Sequence, residues 1–527
     1  MKKISAQEIK TWLTDGSEFA LLDVREDGQF GEGHLLHAIP LPYSRLELEI
    51  TPLVPRADVP VCLVDDGEGV AEKAANRLEA MGYTDVRVLD GDLAACEAAG
   101  FTIFKGVNVP SKTLGELAEE AADTPYIEAE EMKRMLDAGE DFILLDGRTP
   151  REFNTMSIPG GRSCPNAELA YRLPLLVDNP NTKVVVNCAG RTRSLIGAQS
   201  LRNFEFDNPI FALKHGTQGW RLAGFELDNG RTPAPLPQAT GEAFAAAQAR
   251  ARDFMEKHAI PSVGIETVAE WVGDDSATFF LFDVRSEEEF NARHLDGAVF
   301  APGGQLVQAT DQWVAVRGAR IVLCDDSGIR AANTAYWLRA MGHDAYVLED
   351  DVSDSAITLP ARKVAVRPVG ATLAEIDAKE LAAGGDRLII DLRASADYRA
   401  AHIKDAVWSI RPKLADLTIN GATEIVLVTP NKAFAELAAM DLRDAGASSI
   451  RVLTSGPDAW GQAGLSVVAT PDLPSDAERL DFLFFVHDRH LGNAQASRDY
   501  LNWELGLIGQ LKDWELDLFP TFADHAH

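Results

Sequence analysis

Cysteine is scarce in this chain: Cys62, Cys96, Cys164, Cys188 and Cys324 are five among 527 residues, odd in number and never spaced as Cys-x-x-Cys. That pattern argues against a disulfide framework or a zinc ribbon and suits a reducing, cytoplasmic setting. Positive charge is short too, with 50 Lys and Arg against 81 Asp and Glu and a net charge of −31. A polyanion approaching such a surface meets a repulsive mean field, so nucleic acid is not an expected partner. Long apolar runs are missing, and none approaches the roughly 20 residues that span a bilayer. The amino-terminal stretch MKKISAQEIKTWLTDG meets polar residues too early for a signal-peptide core. The expectation is a soluble protein with no membrane partner. What is present is ordinary globular material, 46% hydrophobic and 25% charged, in a length that predicts three or four domains at about 150 residues each.

Internal repetition gives that length its meaning. A short apolar run ending in Asp-x-Arg occurs as FALLDVREDGQF around Asp23, FILLDGRTPREF around Asp146, FFLFDVRSEEEF around Asp283 and LIIDLRASADY around Asp391. Three copies place His34, His294 and His402 eleven residues after the Asp, where the second has Ser157. A second run follows, VPVCLVDDGEG, KVVVNCAGRTRS, RIVLCDDSGIRA and EIVLVTPNKAFA, which puts Asp65, Cys188, Asp325 and Thr429 at 42, 42, 42 and 38 residues from the preceding Asp. Alanine-rich segments of helical period come next and stop at Gly82, Gly342 or Gly446, before another strand-like run. Strand, crossover helix and strand in succession predict an α/β fold of small parallel sheets flanked by helices. The expected organisation is four tandem domains at 1–107, 125–236, 259–365 and 370–470, with a helical appendix at 471–527. The stretch 106–124, the Pro-rich then Ala-rich segment 231–259 and a turn-rich segment near 366–371 read as connections, the second becoming a helix.

The ordered set Leu144-Leu145-Asp146-Gly147-Arg148, Ile158-Pro159-Gly160-Gly161, Cys188 to Ser194 and Gly216-Thr217-Gln218-Gly219-Trp220 resembles the rhodanese sulfurtransferase family, over about residues 1–470. The resemblance implies a cysteine that takes a sulfane sulfur from a donor as a persulfide and passes it to a thiol or cyanide acceptor. Val184 to Asn187 reads as a central strand with Cys188 at its carboxyl end, where parallel sheets place their ligands. Ala189, Gly190, Arg191, Thr192, Arg193 and Ser194 then turn into a helix, so backbone N–H groups and the positive helix terminus surround the sulfur and favour a thiolate. Arg191 and Arg193 add two cations, which suits an anionic donor, thiosulfate ahead of 3-mercaptopyruvate. Asp146 and Arg148 are expected to support the loop rather than to react. The loop from Cys188 to Arg193 has six residues, the size found in sulfur-transferring members; related phosphatases and arsenate reductases carry one more.

At the nucleophile position the other copies carry Asp65, Asp325 and Thr429, and a carboxylate or hydroxyl cannot hold a stable persulfide. Those three copies are expected to be inactive, with the two Asp carboxylates plugging the vacated anion nests. Cys62 and Cys324 fall three and one residues too early and are expected to point into their sheets. The acidic run Glu116, Glu119, Glu120, Glu128, Glu130 and Glu131 reads as a solvated linker and helix face. His487, Asp488 and His490 lack a third ligand at convincing spacing, so neither a metal nor any other cofactor is expected. A homo-oligomer stays open, and the rival functions are a non-catalytic persulfide carrier or scaffold for a partner protein and a cysteine-dependent phosphatase or arsenate reductase.

Overall fold

Each predicted apolar run forms the same kind of strand in the computed structural model, which describes residues 1–350, 352, 372–417, 424–486 and 493–523. In the second copy the sheet runs Arg162–Ser163, Phe142–Asp146, Lys183–Asn187, Ile210–Leu213 and Tyr126–Ile127, with every pairing parallel. The third copy repeats this as Val299–Phe300, Phe279–Asp283, Arg320–Cys324, Asp344–Leu348 and Ser262–Val263. The fourth has Val407–Trp408, Arg387–Asp391, Glu424–Val428, Ile450–Leu453 and Ala374–Glu375. In the first, Ile39–Pro40, Phe19–Asp23, Val61–Val64, Val86–Leu89 and Lys2–Ile4 follow the same order.

The register fixes the chemistry of each copy. Asp146 lies opposite Asn187, Asp23 opposite Val64, Asp283 opposite Cys324 and Asp391 opposite Val428. The next residue leaves the sheet, and that residue is Cys188, Asp65, Asp325 or Thr429. The shorter offset of 38 in the fourth copy therefore changes the connection and not the register. The same geometry buries Cys324 at a strand end, where its thiol lies 3.3 Å from the Phe282 carbonyl, and buries Cys62 mid-strand.

In all four copies the Asp-x-Arg signature closes on itself. The arginine Nη2 lies 2.6 Å from the Asp carboxylate in each of Arg25, Arg148, Arg285 and Arg393, and also donates to the carbonyl eight residues ahead, at Gly33, Met156, Arg293 and Ala401. A charged pair buried this deeply costs desolvation, which the fork geometry and the extra carbonyl offset. The repeated signature is thus a brace between the strand end and the following loop. His34, His294 and His402 each stack on the aromatic side chain four residues earlier, completing the brace in their copies.

By contacts the chain forms two compact units, one of residues 1–11, 19–107 and 364–487, the other of 12–18, 108–363 and 488–527. The first holds copies one and four, the second copies two and three. In the first, buried Arg411 donates to Glu47 at 2.5 and 2.7 Å and to Asp441 at 2.8 Å, and lies over the Tyr43 ring. In the second, buried Arg330 reaches Glu168 at 3.1 Å and Glu289 at 2.8 Å and lies over Tyr171. Each unit thus closes its two copies around a multiply paired arginine.

The expected connecting helix is Gly241–Lys257, with Phe254 stacked on Phe204 at 3.9 Å. Two expectations need correction. The stretch 106–124 contains the 14-residue helix Val109–Ala122, buried along most of its length, because its alanine and leucine face packs on the helix Thr192–Asn203. Gly115 allows that contact, since a Cβ there would stand 3.1 Å from Thr192 Cα. The segment 471–527 is divided between the two units instead of forming one appendix. His487, Asp488, His490, His525, His527 and the turn-rich 366–371 lie outside the described residues.

Candidate active site

Strand Lys183–Asn187 is apolar on both faces: Val185 packs with Leu144, Ile158, Leu213 and Trp220, and the Trp220 indole is pinned by a 2.9 Å bond to the Glu226 carbonyl. Burying each such side chain contributes about 1.5–3 kcal/mol, so the strand end is a rigid mounting point. Asn187 there donates to Asp146 at 3.2 Å, tying the strand to the Asp146–Arg148 brace. Gly147 donates its N–H to the Asn187 carbonyl at 2.9 Å.

Cys188 follows, and its carbonyl accepts the Thr217 N–H at 2.8 Å while that of Ala189 accepts the Gln218 N–H at 3.0 Å. Gly216 has φ +52°, and a Cβ on it would lie 2.2 Å from the Cys188 carbonyl oxygen, so only glycine lets this second loop press against the first. The Cys188 Sγ is 3.4 Å from the Ser194 hydroxyl, which is also 2.8 Å from the Arg191 carbonyl. With a thiol, the S–H donates to the hydroxyl oxygen and the hydroxyl to the carbonyl. With a thiolate, the hydroxyl turns its proton to sulfur.

The copies without a cysteine at this position reveal what the loop offers an anion. Asp65 accepts the N–H of Gly67 at 3.1 Å and of Ala71 at 3.0 Å. Asp325 accepts the N–H of Gly328 and, at 3.0 Å, of Arg330, and takes the Ser327 hydroxyl at 3.2 Å. The carboxylates occupy the nests, as the sequence predicts. Thr429, followed by Pro430, instead uses its hydroxyl to accept the Asn431 N–H at 3.3 Å. By sequence offset, the groups that hold Asp65 correspond to the N–H of Gly190 and Ser194 around Cys188. Family comparison agrees with this repeated geometry: the model of the Rhodanese-like domain matches residues 5–99, 128–223, 265–354 and 375–463.

The chain belongs to the rhodanese family. Over its whole length it is similar to the crystal structure of a thiosulfate sulfurtransferase from Pseudomonas aeruginosa, with 39% identity, 99% of each chain covered and a TM-score of 0.88. A crystal structure of the Alr3790 protein from Anabaena sp. is 26% identical over 20% of this chain and 93% of that one, with a TM-score of 0.19. No curated protein matches the chain.

Three features of this rhodanese loop were not legible in the sequence. The two loop arginines, read as open cations, are both paired. Arg191 grips Glu116 through two bonds of 2.7 and 2.8 Å and also reaches Glu119. Arg193 holds Glu152 at 2.6 and 2.7 Å and touches Gln305 at 3.2 Å. Glu116 is therefore not solvated but 5% exposed; burial pushes its carboxyl up to about 7, against the pull of Arg191 and with the push of Glu504 and Glu119. Burial also pushes Glu152 up, yet the bonds and charge of Arg193 and the Thr149 cap outweigh it and hold that carboxyl at about 2. Glu116 and Glu119 share a helix face at i, i+3, the one sequence signal that could have joined them.

The second feature is the tail. Helix Ala494–Leu505 lies on the loop, with Glu504, only 2% exposed, accepting from the Thr192 hydroxyl at 2.7 Å. Its other oxygen is buried without a hydrogen-bond partner among the described residues and stands 3.3 Å from where a Gly190 Cβ would be. The Gln218 side-chain amide, likewise unpartnered, is at the same distance from that point. Cys188 beneath is 2% exposed. The third is a cavity of about 320 Å³ beside the loop, walled by Ala189, Thr217 and Gln218 and by the tail helix. No cluster among the described residues has the makings of a metal site.

Proposed function

We propose that the protein is a sulfurtransferase that carries sulfane sulfur on Cys188 as a persulfide, from an anionic donor, thiosulfate ahead of 3-mercaptopyruvate, to a thiophilic acceptor. The observation that carries the reading is the position of Cys188: a lone nucleophile at a buried strand end, entering a six-residue loop whose counterparts in two sister copies each hold a carboxylate. Full-length likeness to a thiosulfate sulfurtransferase supports the same assignment.

In the first half-reaction the Cys188 thiolate attacks the outer sulfur of thiosulfate; a new S–S bond forms, the donor S–S bond breaks, and its electron pair leaves on sulfite. In the second, an acceptor nucleophile takes the outer sulfur and the pair returns to Cys188. The backbone N–H groups from Gly190 to Ser194 hold the anionic persulfide, and the Ser194 hydroxyl follows the charge on sulfur. Arg191 and Arg193, engaged with Glu116 and Glu152, set the curvature of the loop and bias its field. No proton has to cross the loop, so no acid–base pair is required. Asp146 and Arg148 position the strand end.

Intact-mass measurement after exposure to thiosulfate tests the assignment. A one-sulfur adduct on the natural protein, absent from Cys188→Ala, is the expected result; an adduct that persists in the variant, or none on either, refutes it. The near-complete cover of Cys188 favours one rival reading, a carrier that loads once for a dedicated partner. Continued turnover of thiosulfate with cyanide separates an enzyme from such a carrier.

A further inference from the structure

The cavity beside the Cys188 loop has an uneven charge inventory. Its walls include Arg148, Glu152, Arg221 and Arg498. Arg148 is spent on Asp146, and Glu152 is spent on Arg193, so these two contribute little net field. Arg221, in the last turn of helix Gly216–Leu222, and Arg498, midway along the tail helix Ala494–Leu505, have no ion-pair or hydrogen-bond partner among the described residues. Two unpaired guanidinium groups thus face one recess in a chain of net charge −31.

The size and lining narrow the ligand. At about 320 Å³ the recess lies at the lower end of the range for small organic ligands, roughly 300–1,000 Å³. Cyanide or thiosulfate would leave most of it to water. Met156, Leu222 and Leu227 give it an apolar wall, and Ala189 and Gln218 connect it to the sulfur loop. Guanidinium pairs favour carboxylates, which they bind in a planar, two-bond fork.

We propose that this recess is the acceptor subsite, and that it takes a small organic thiol bearing carboxylates, held by Arg221 and Arg498 with its sulfur directed past Ala189 toward Cys188. The tail helix, outside the residues matched to the family, thereby becomes part of the site. The inference rests on the persulfide chemistry proposed above. The acceptor thiolate attacks the outer sulfur of the Cys188 persulfide; one S–S bond forms, the bond to Sγ breaks, its electron pair returns to Cys188, and the product leaves as an organic persulfide anion. Charge and electrons balance without an oxidant.

The test uses the full-length protein loaded with thiosulfate, with mercaptosuccinate, a dicarboxylate thiol, and 2-mercaptoethanol, a neutral one, as acceptors. The readout is the ratio of kcat/KM for the first to that for the second, in the natural protein, Arg221→Gln, Arg498→Gln and the double variant, each checked for folding by its melting curve. Comparing ratios cancels the differing nucleophilicity of the two thiols. The expected result is a fall of roughly fivefold for each single variant and about twentyfold for the double, through KM for mercaptosuccinate. A ratio that does not change overturns the proposal, as does a loss confined to thiosulfate loading, which would make the recess a donor site. If the natural protein fails to load sulfur on Cys188 at all, the failure belongs to the sulfurtransferase reading; loading with an unchanged ratio condemns the acceptor subsite alone.

Discussion

Replacing Asp65 by Asn exchanges one carboxylate oxygen for an amide nitrogen and asks whether this nest is held together by the anion that fills it. The carboxylate is buried and accepts two backbone N–H groups, from Gly67 at 3.1 Å and from Ala71 at 3.0 Å, the latter in the first turn of helix Val70–Met81. Asn can satisfy only one of them, because its amide nitrogen would face the other N–H as a second donor. A hydrogen bond to a charged group is worth about 1.5–3 kcal/mol, and the favourable placement of negative charge at a helix terminus about 0.3–1 kcal/mol. Relief of the carboxylate's own desolvation returns part of that sum, leaving a net loss of about 2 kcal/mol. With a urea dependence of about 2 kcal/mol per molar, the unfolding midpoint of the unit falls by about 1 M. Hydrogen–deuterium exchange should place the change in the peptide covering 61–81. Asp58→Asn, which removes an exposed partner of Arg56, serves as the control and should shift the midpoint little. If Asp65→Asn leaves both midpoint and exchange at their natural values, the plug does not stabilise the loop, and the nest argument for Cys188 loses its internal calibration.

Glu504→Gln keeps an oxygen for the Thr192 hydroxyl while removing a carboxylate that stands beside Gly190, where the nest is assigned to hold anions. Repulsion of this kind, at an effective dielectric constant of about 20, amounts to a few kcal/mol at short range, and relief of about 1.4 kcal/mol of it already lowers KM for thiosulfate about tenfold, so a fall of at least that size is expected in steady-state assays; an unchanged KM would reject the repulsion. His215 is held at about 4, chiefly by burial and further by Arg191 and Lys214. An unfolded histidine titrates near 6.5, so the unfolded chain binds more protons between those values, and stability is lost as pH falls from about 6.5 to about 4. His215→Asn, which tolerates the positive φ there, should remove up to about 2 kcal/mol of the stability difference between pH 7 and pH 5 in urea titrations; the same pH dependence in both proteins would count against it.

The four-fold repetition, the parallel strands and the position of Cys188 were all legible in the chain, because each is a local matter. An apolar run ending in Asp-x-Arg specifies a buried strand and its brace, and the constant distance to the next strand specifies which residue leaves the sheet. The acidic substitutions at Asp65 and Asp325 are equally local. The linker between the first two copies was misread for a physical reason: six glutamates among its residues and the next few suggest solvation, while burial of Glu116 depends on a partner 75 positions away.

The sequence by itself determined the architecture and the one copy with a cysteine where the central strand gives way to the loop, since hydrophobic period and spacing are properties of the chain itself. Only the tertiary structure decided the surroundings of that cysteine. It turned Arg191 and Arg193 inward to Glu116 and Glu152, set Glu504 on the loop, and left Arg221 and Arg498 around one recess without a partner among the described residues. Charges act through space, and whether a guanidinium is spent or available depends on carboxylates that the fold brings from distant parts of the chain.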